Sequence, residues 1–254
     1  MRRQFLLLCC AVQLLTRLPV PPQADFMSDR INRSARYFPL VGQLVGVISA
    51  AILLLAAQLW SGWLPSILAV LAAVFITGAL HEDGLADTAD GLGGGRDAAH
   101  RLAIMKDSRT GTFGVLSLVF CTAIKLASLA AMAPWAAAAA LVAGHGVARA
   151  ATVVVMNRLP YAGDPGSAKL NTADRAPTSP EVFIALALAA WPLLLLGTMH
   201  AAFGLLICGL LTFTMAATAL RLIGGQRGDV LGAVEQLCEA GFLLGCAARF
   251  GHAL

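Results

Sequence analysis

Charge is what this sequence has least of. Only 13% of its 254 residues are Asp, Glu, Lys or Arg, while 58% are apolar. Soluble domains run nearer 45–50% apolar. With the excess spread along the whole chain, the composition speaks against a soluble fold and for a single integral membrane domain over residues 1–254. The six cysteines (Cys9, Cys10, Cys121, Cys208, Cys238 and Cys246) form no CxxC pair and no His-spaced zinc pattern. Most lie in apolar runs and read as buried thiols. No internal repeat is visible, and strand-like alternation is missing, so the spans are expected to be helices. The net charge of +4 comes from scattered basic residues, not from a block that would suit nucleic acid.

A cleavage site is missing as well. Arg2 and Arg3 precede an apolar run, Phe5 to Leu15, but Thr16-Arg17-Leu18-Pro19 follows it with no small-x-small signal. The run is shorter than the ~20 residues a bilayer needs. It reads as an interfacial or partly buried helix.

What is present is a series of oily segments. About seven could span, near 40–60, 64–80, 112–132, 135–156, 181–198, 200–221 and 230–250, several of them short. The expected fold is an all-α polytopic transmembrane helix bundle with an added N-terminal interfacial helix. Loops carrying Arg and Lys (the N-terminal region, 81–111, 157–180 and 222–229) alternate with short uncharged ones at Ser61-Gly62, Ala133-Pro134 and Gly197–His200. The positive-inside rule then puts all the charged loops in the cytoplasm and the C-terminus outside. Trp60, Trp63 and Trp135 sit at the opposite ends, as interfacial aromatics do.

On the charged side, His81-Glu82-Asp83-Gly84-Leu85-Ala86-Asp87-Thr88-Ala89-Asp90-Gly91-Leu92-Gly93-Gly94-Gly95 stands out. If the helix from about 64 continues past His81, Asp83, Asp87 and Asp90 share one face. Acids so placed repel one another, and a hard divalent cation reverses the sign. The three aspartates are therefore expected as Mg²⁺ ligands, with Glu82 behind them. Gly84 and Gly91 weaken a helix, and their expected use is to let a ligand or a neighbouring helix come close. The glycine run ending in Arg96 can turn N–H groups toward an anion, although the Gly-Lys-Ser/Thr ending of a Walker loop is missing.

The next run holds Arg96, Arg101, Lys106, Asp107 and Arg109. Lys106 and Arg109 are expected to hold a phosphate, with Arg96 and Asp107 as further substrate contacts. Positive-inside topology is the competing reason for the bases. Glu235 and Glu239 lie four apart in an apolar segment with Asp229 at its mouth. Acids placed there usually face a cavity or a partner. They are read as completing a metal or substrate site, or as a structural pair with Lys125 or Arg149. His145 and Arg149 read as a polar interhelical contact. His81 is a candidate base or a solvated helix-end histidine.

Glu82–Leu92 closely resembles the signature of the adenosylcobinamide-GDP ribazoletransferase (cobalamin 5′-phosphate synthase) family. Supporting stretches are Thr16–Pro19, Phe38–Gly42, Met105–Arg109 with Gly111 and Gly114, and Gly228–Ala233. The resemblance implies a multi-pass, Mg²⁺-dependent enzyme of the bacterial inner membrane, active on the cytoplasmic face. It implies adenosylcobinamide-GDP and α-ribazole, or its 5′-phosphate, as substrates, and GMP as a product. A second copy of the chain and other late cobamide enzymes are candidate partners. On that chemistry Glu82, Glu235 or His81 would take the hydroxyl proton. The rival enzyme is a CDP-alcohol phosphotransferase, but Asp83-Gly84 is followed by Ala86-Asp87 and the distal glycine-aspartate ladder of that pattern is missing. A transporter is the rival from another class. It would favour charges in mid-membrane and an inverted repeat.

Overall fold

The computed structural model describes residues 2–21, 28–163 and 176–250. Among these residues the architecture is all-α. In chain order the helices are α1 (Arg2–Leu15), α2 (Ser28–Ser34), α3 (Phe38–Ala56), α4 (Leu64–Thr77), α5 (Leu80–Gly94), α6 (Ala98–Ile104), α7 (Thr112–Ala130), α8 (Pro134–Arg158), α9 (Ser179–Ala190), α10 (Thr198–Ile223) and α11 (Gly228–Cys246). Short 3-10 turns precede α3 and follow α9.

The bundle is built around α8 and α11. Both are rich in small residues, and small residues let helix backbones approach closely where lipid supplies no hydrophobic drive between helices. A Cβ on Gly46 of α3 would sit 2.8 Å from the Leu141 carbonyl of α8. One on Gly204 of α10 would sit 3.0 Å from the Phe242 carbonyl of α11. The main apolar core joins Leu53, Leu129, Leu141, Phe242 and Leu243 from four of these helices. Phe75, Phe120, Phe183 and Phe213 are all at least 60% exposed and form part of an oily outer surface suited to lipid. The N-terminal α1 buries Leu7, Cys9, Cys10, Val12 and Leu15, as expected of a partly buried helix.

Among the described residues, four helical stretches are long and apolar enough to cross a bilayer: Arg30–Ala56, Thr112–Ala130, Pro134–Arg158 and Thr198–Ile223. A fifth is reached only by counting α4 and α5 together across an 89° bend. The sequence-based count of about seven is not confirmed by these helices. Near 181–198 the helix α9 breaks into a 3-10 turn at Trp191–Leu195. Near 230–250, α11 carries Asp229, Glu235 and Glu239 and lies inside the bundle.

The expected continuous helix past His81 is also corrected. The chain turns at Gly78 (φ 67°) and Ala79 (φ 57°), both left-handed, and α5 starts afresh at Leu80. Leaving an alanine in that region costs roughly 1–2 kcal/mol, so its surroundings must hold it there. One hold is the Arg17 N–H, which donates to the Ile76 carbonyl at 2.7 Å. The charged stretch 81–111, expected as a loop, is mostly helical in α5 and α6. Residues 164–175, half of the expected 157–180 loop, lie outside the described residues. Its first part is pinned to the start of α11, where the Ala162 N–H donates to the Gln226 carbonyl and the Gln226 N–H to that of Pro160, both at 2.8 Å. Cys208 and Cys238 form a disulfide between α10 and α11, not two thiols. The other four cysteines are buried and free, as expected.

Candidate active site

Two glycines bring the acids together. A Cβ on Gly84 of α5 would lie 2.8 Å from the Asp229 carbonyl and 3.2 Å from the Gly232 Cα of α11. Only a bare backbone fits at that crossing, so the first turn of α11 sits directly beside α5. Asp83, Asp87 and Asp229 are then close enough for their charges to act on one another. Asp83 is exposed and Asp87 half-buried. Burial raises the Asp229 carboxyl above the usual carboxylate range; Arg227 opposes the rise and Asp83 adds to it. Arg227 Nε lies 2.8 Å from Asp229 Oδ2 and is the basic side chain paired with this group among the described residues.

Asp83 and Asp229 line a cavity of about 400 Å³, together with His81 and Gln226. Its remaining wall is largely apolar, with Leu15, Ile31, Phe38 and Met156 among its members. Asp87 does not line it.

A second group of acids lies deeper, and it is closed. Glu239 pairs with Lys125 Nζ at 2.8 Å and with His145 Nδ1 at 2.8 Å. Glu235 pairs with Arg149 at 2.7 Å and has His81 Nδ1 at 3.8 Å. Gln236 ties the set together. Its Nε2 donates to Glu82 Oε1 at 3.1 Å and to Glu235 Oε2 at 3.0 Å, and its Oε1 accepts from Lys125 at 2.8 Å. Lys125, Arg149, Glu235 and Glu239 are each no more than 4% exposed. His145, Glu235 and Glu239 do offer ligand atoms within 4.8 Å of one another. Lys125 and Arg149 already neutralise both carboxylates there, which leaves little call for a further cation. The structural pairing of Glu235 and Glu239 is thus present, with Arg149 and Lys125 as the two partners. Their expected approach to substrate is not seen: neither lines the large cavity.

Asp90 takes a different position from its two neighbours in the signature. Its carboxylate accepts the N–H of Gly111 at 2.6 Å and of Gly114 at 2.8 Å, at the N-terminus of α7. A carboxylate there satisfies unpaired helix donors and meets the positive end of the helix dipole. Gly111 and Gly114 leave room for it, since a Cβ on Gly111 would fall 2.6 Å from Asp90 Oδ1. Asp90 is therefore an anchor of α7 on α5, buried with both oxygens engaged.

The glycine run is corrected too. Gly91–Gly94 continue α5, so their N–H groups serve the helix instead of facing an anion. Gly91 packs on Met105, Gly95 packs on Arg101, and Arg101 donates to the Leu92 carbonyl, which seats α6 against the end of α5. Arg96 and Lys106 are exposed and away from the cavity. Arg109 is 88% exposed and closes a fork on Asp107 at 2.6 Å. Its hydrogen bonds hold Asp107 down to about 2. The structure does not bring this basic run onto Asp83 and Asp229.

Sequence reading missed Arg227, Gln236 and Asn32. Arg227 and Gln236 flank residues already singled out, and a buried amide between two intramembrane acids is itself a signal. Asn32 had none, because its importance lies in what surrounds it.

Hard oxygen donors on one open wall suit magnesium, which keeps waters and shares its shell with substrate phosphate. Asp83 and Asp229 fit that description, with Asp87 next to them. The inner acids do not.

The chain was compared with known proteins. A family profile described as cobalamin-5-phosphate synthase matches residues 7–247. Curated proteins called adenosylcobinamide-GDP ribazoletransferase align over nearly the full length. That of Azorhizobium caulinodans is 44% identical over 92% of this chain and 92% of its own. That of Bradyrhizobium diazoefficiens is 42% identical over 94% and 92%. That of Shewanella piezotolerans is 40% identical over 94% and 93%. No solved structure matches.

Proposed function

The chain belongs to the cobalamin-5-phosphate synthase family, and from that premise we propose that it performs the joining step of late cobalamin synthesis. It transfers the adenosylcobinamide phosphate of adenosylcobinamide-GDP to α-ribazole or α-ribazole 5′-phosphate and releases GMP. The full-length likeness to ribazoletransferases supports this activity. One structural observation carries the site: Asp83 and Asp229 line the same cavity, with Arg227 as the paired base among the described residues.

In the reaction a ribose hydroxyl oxygen bonds to the phosphorus bearing the aminopropanol arm. The bond from that phosphorus to the bridging oxygen breaks, and GMP leaves with that oxygen. Asp83 and Asp229, with Asp87 beside them, would hold Mg²⁺. When bound, the ion would neutralise charge on the diphosphate and on the leaving GMP. The chain's own part is to fix the two aspartates against each other across the Gly84–Gly232 contact and to keep apolar walls around the acceptor. Of the three candidate bases, His81 lines the cavity, whereas Glu82 and Glu235 are held by Gln236 in the inner network. His81 is the group we place at the hydroxyl proton. The mouth is assigned to the cytoplasmic side because Arg and Lys gather in the loops around it.

The test is GMP release by purified protein given both substrates, with and without Mg²⁺. Release that needs the acceptor and the metal is expected. A transporter would release none, and full activity in chelator would remove the metal from the account.

A further inference from the structure

The cavity lining has a polar part and an apolar part. Asp83 of α5 and Asp229 of α11 belong to the polar part. Leu15 of α1, Ile31 and Asn32 of α2, Phe38 of α3 and Met156 of α8 line much of the rest, with Thr152 and Tyr161. Asn32 is 4% exposed, yet neither its Oδ1 nor its Nδ2 has a hydrogen-bond partner among the described residues. A buried carboxamide left unpaired lowers stability, and Leu would fill much the same space without that cost. A polar group kept in such a wall calls for a partner, and the described residues do not provide one.

About 400 Å³ lies within the roughly 300–1,000 Å³ of sites for small organic ligands. It admits a nucleoside and is far too small for a corrinoid ring with its side chains. The two nucleosides of the proposed reaction differ in the base. Guanine carries several donors and acceptors along its edge, more than Asn32 can satisfy beside Leu15, Ile31, Phe38 and Met156, and Thr152 already gives its hydroxyl hydrogen to the Ala148 carbonyl. A dimethylbenzimidazole base is apolar apart from one unsubstituted ring nitrogen. One amide N–H can serve that nitrogen, and the amide oxygen remains free for a ribose hydroxyl.

We propose that the apolar part of this cavity is the acceptor subsite and binds a ribonucleoside with an apolar fused-ring base, and that Asn32 recognises its ring nitrogen. The inference rests on the activity proposed above. It puts the acceptor ribose next to Asp83 and Asp229, and it leaves the corrinoid and the guanosine outside the pocket.

The test uses the full chain in nanodiscs and reads binding and turnover separately. Equilibrium binding of α-ribazole alone is measured by calorimetry for wild type, Asn32→Leu and Met156→Trp, the last of which fills the apolar part. Steady-state KM is measured for each substrate. Asn32→Leu is expected to weaken α-ribazole binding and raise its KM at least tenfold, to leave the KM for adenosylcobinamide-GDP within about threefold, and to raise the melting temperature. Met156→Trp should block α-ribazole in the same way. In wild type, an acceptor whose base lacks both methyl groups should show a KM about tenfold higher.

The subsite is wrong if both variants keep α-ribazole binding within twofold, or if the KM of the guanosine-bearing substrate rises in its place. Wild type that binds α-ribazole with this variant pattern but releases no GMP would keep the subsite and remove the activity. Wild type that turns over while the variants bind α-ribazole normally would do the reverse. A variant that fails to fold leaves the other variant and the demethylated acceptor to decide.

Discussion

The acids of α5 and α11 divide into two populations a few residues apart. Asp83, Asp87 and Asp229 lie at the opening, with Arg227 as their paired base among the described residues. Glu235 and Glu239 lie about two and three turns further along α11, each matched to a cation at 2.8 Å or less. Carboxylates on the same helix are therefore treated in two ways, and the difference is how fully the protein supplies the counter-charge. Among the described residues Arg227 alone is paired among three aspartates, whereas Glu235 and Glu239 each have a cation of their own. Where the match is full, the carboxylate is part of the bundle's architecture. Where it is not, the carboxylate is available for a ligand that brings positive charge.

The contrast can be broken in several ways. The largest effect is expected at the opening. Asp83→Asn or Asp229→Asn should lower GMP release roughly thousandfold, as loss of a group that holds charge in the transition state does. The melting temperature should stay level or rise, because repulsion is relieved. Loss of fold in parallel with activity would make these acids structural.

Next comes the inner set. Glu235→Ala leaves Arg149 buried without its partner and should destabilise by about 3–5 kcal/mol. Thermal unfolding in detergent reads this directly. The double variant Glu235→Leu with Arg149→Met should recover most of the loss, since an apolar pair of similar size can replace a buried ion pair. A near-wild-type Glu235→Ala would mean the network is dispensable.

Asp90→Ala stands between the two populations. It frees two N–H groups at the start of α7 and should cost about 2–4 kcal/mol. Hydrogen exchange should quicken at Gly111 and Gly114. The metal dependence of whatever activity remains should be unchanged, which separates an anchor from a ligand. The smallest effect is expected at Arg109→Ala. Its fork with Asp107 is on the surface, so the melting temperature should not move and GMP release should stay within about threefold. A tenfold loss would show that the basic run reaches the substrate after all.

Much of this was legible in the residues. The need for close approach at Gly84 and the helical class follow from local periodicity and composition. The remainder depended on tertiary neighbours. Asp90 shares the helical phase of Asp83 and Asp87, but it meets the N-terminus of α7, and nothing in the phase reveals which acid will meet a helix end. The glycine run read as a loop on propensity, yet packing against Met105 and Arg101 holds Gly91–Gly94 in helical form. The turn at Gly78-Ala79 was hidden because alanine is a strong helix former and gives no local warning of a left-handed residue. The count of seven is not confirmed: α9 is cut short by its 3-10 turn, and α11 carries three acids within its nineteen residues.

The most direct test is Mn²⁺ binding followed by electron paramagnetic resonance on folded wild type, Asp83→Asn and Glu239→Gln in nanodiscs, Mn²⁺ standing in for Mg²⁺. Wild type and Glu239→Gln should bind the ion with similar affinity, and Asp83→Asn should lose it. If Asp83→Asn binds normally and Glu239→Gln does not, the cation belongs to the inner set and the division between open and closed acids is wrong.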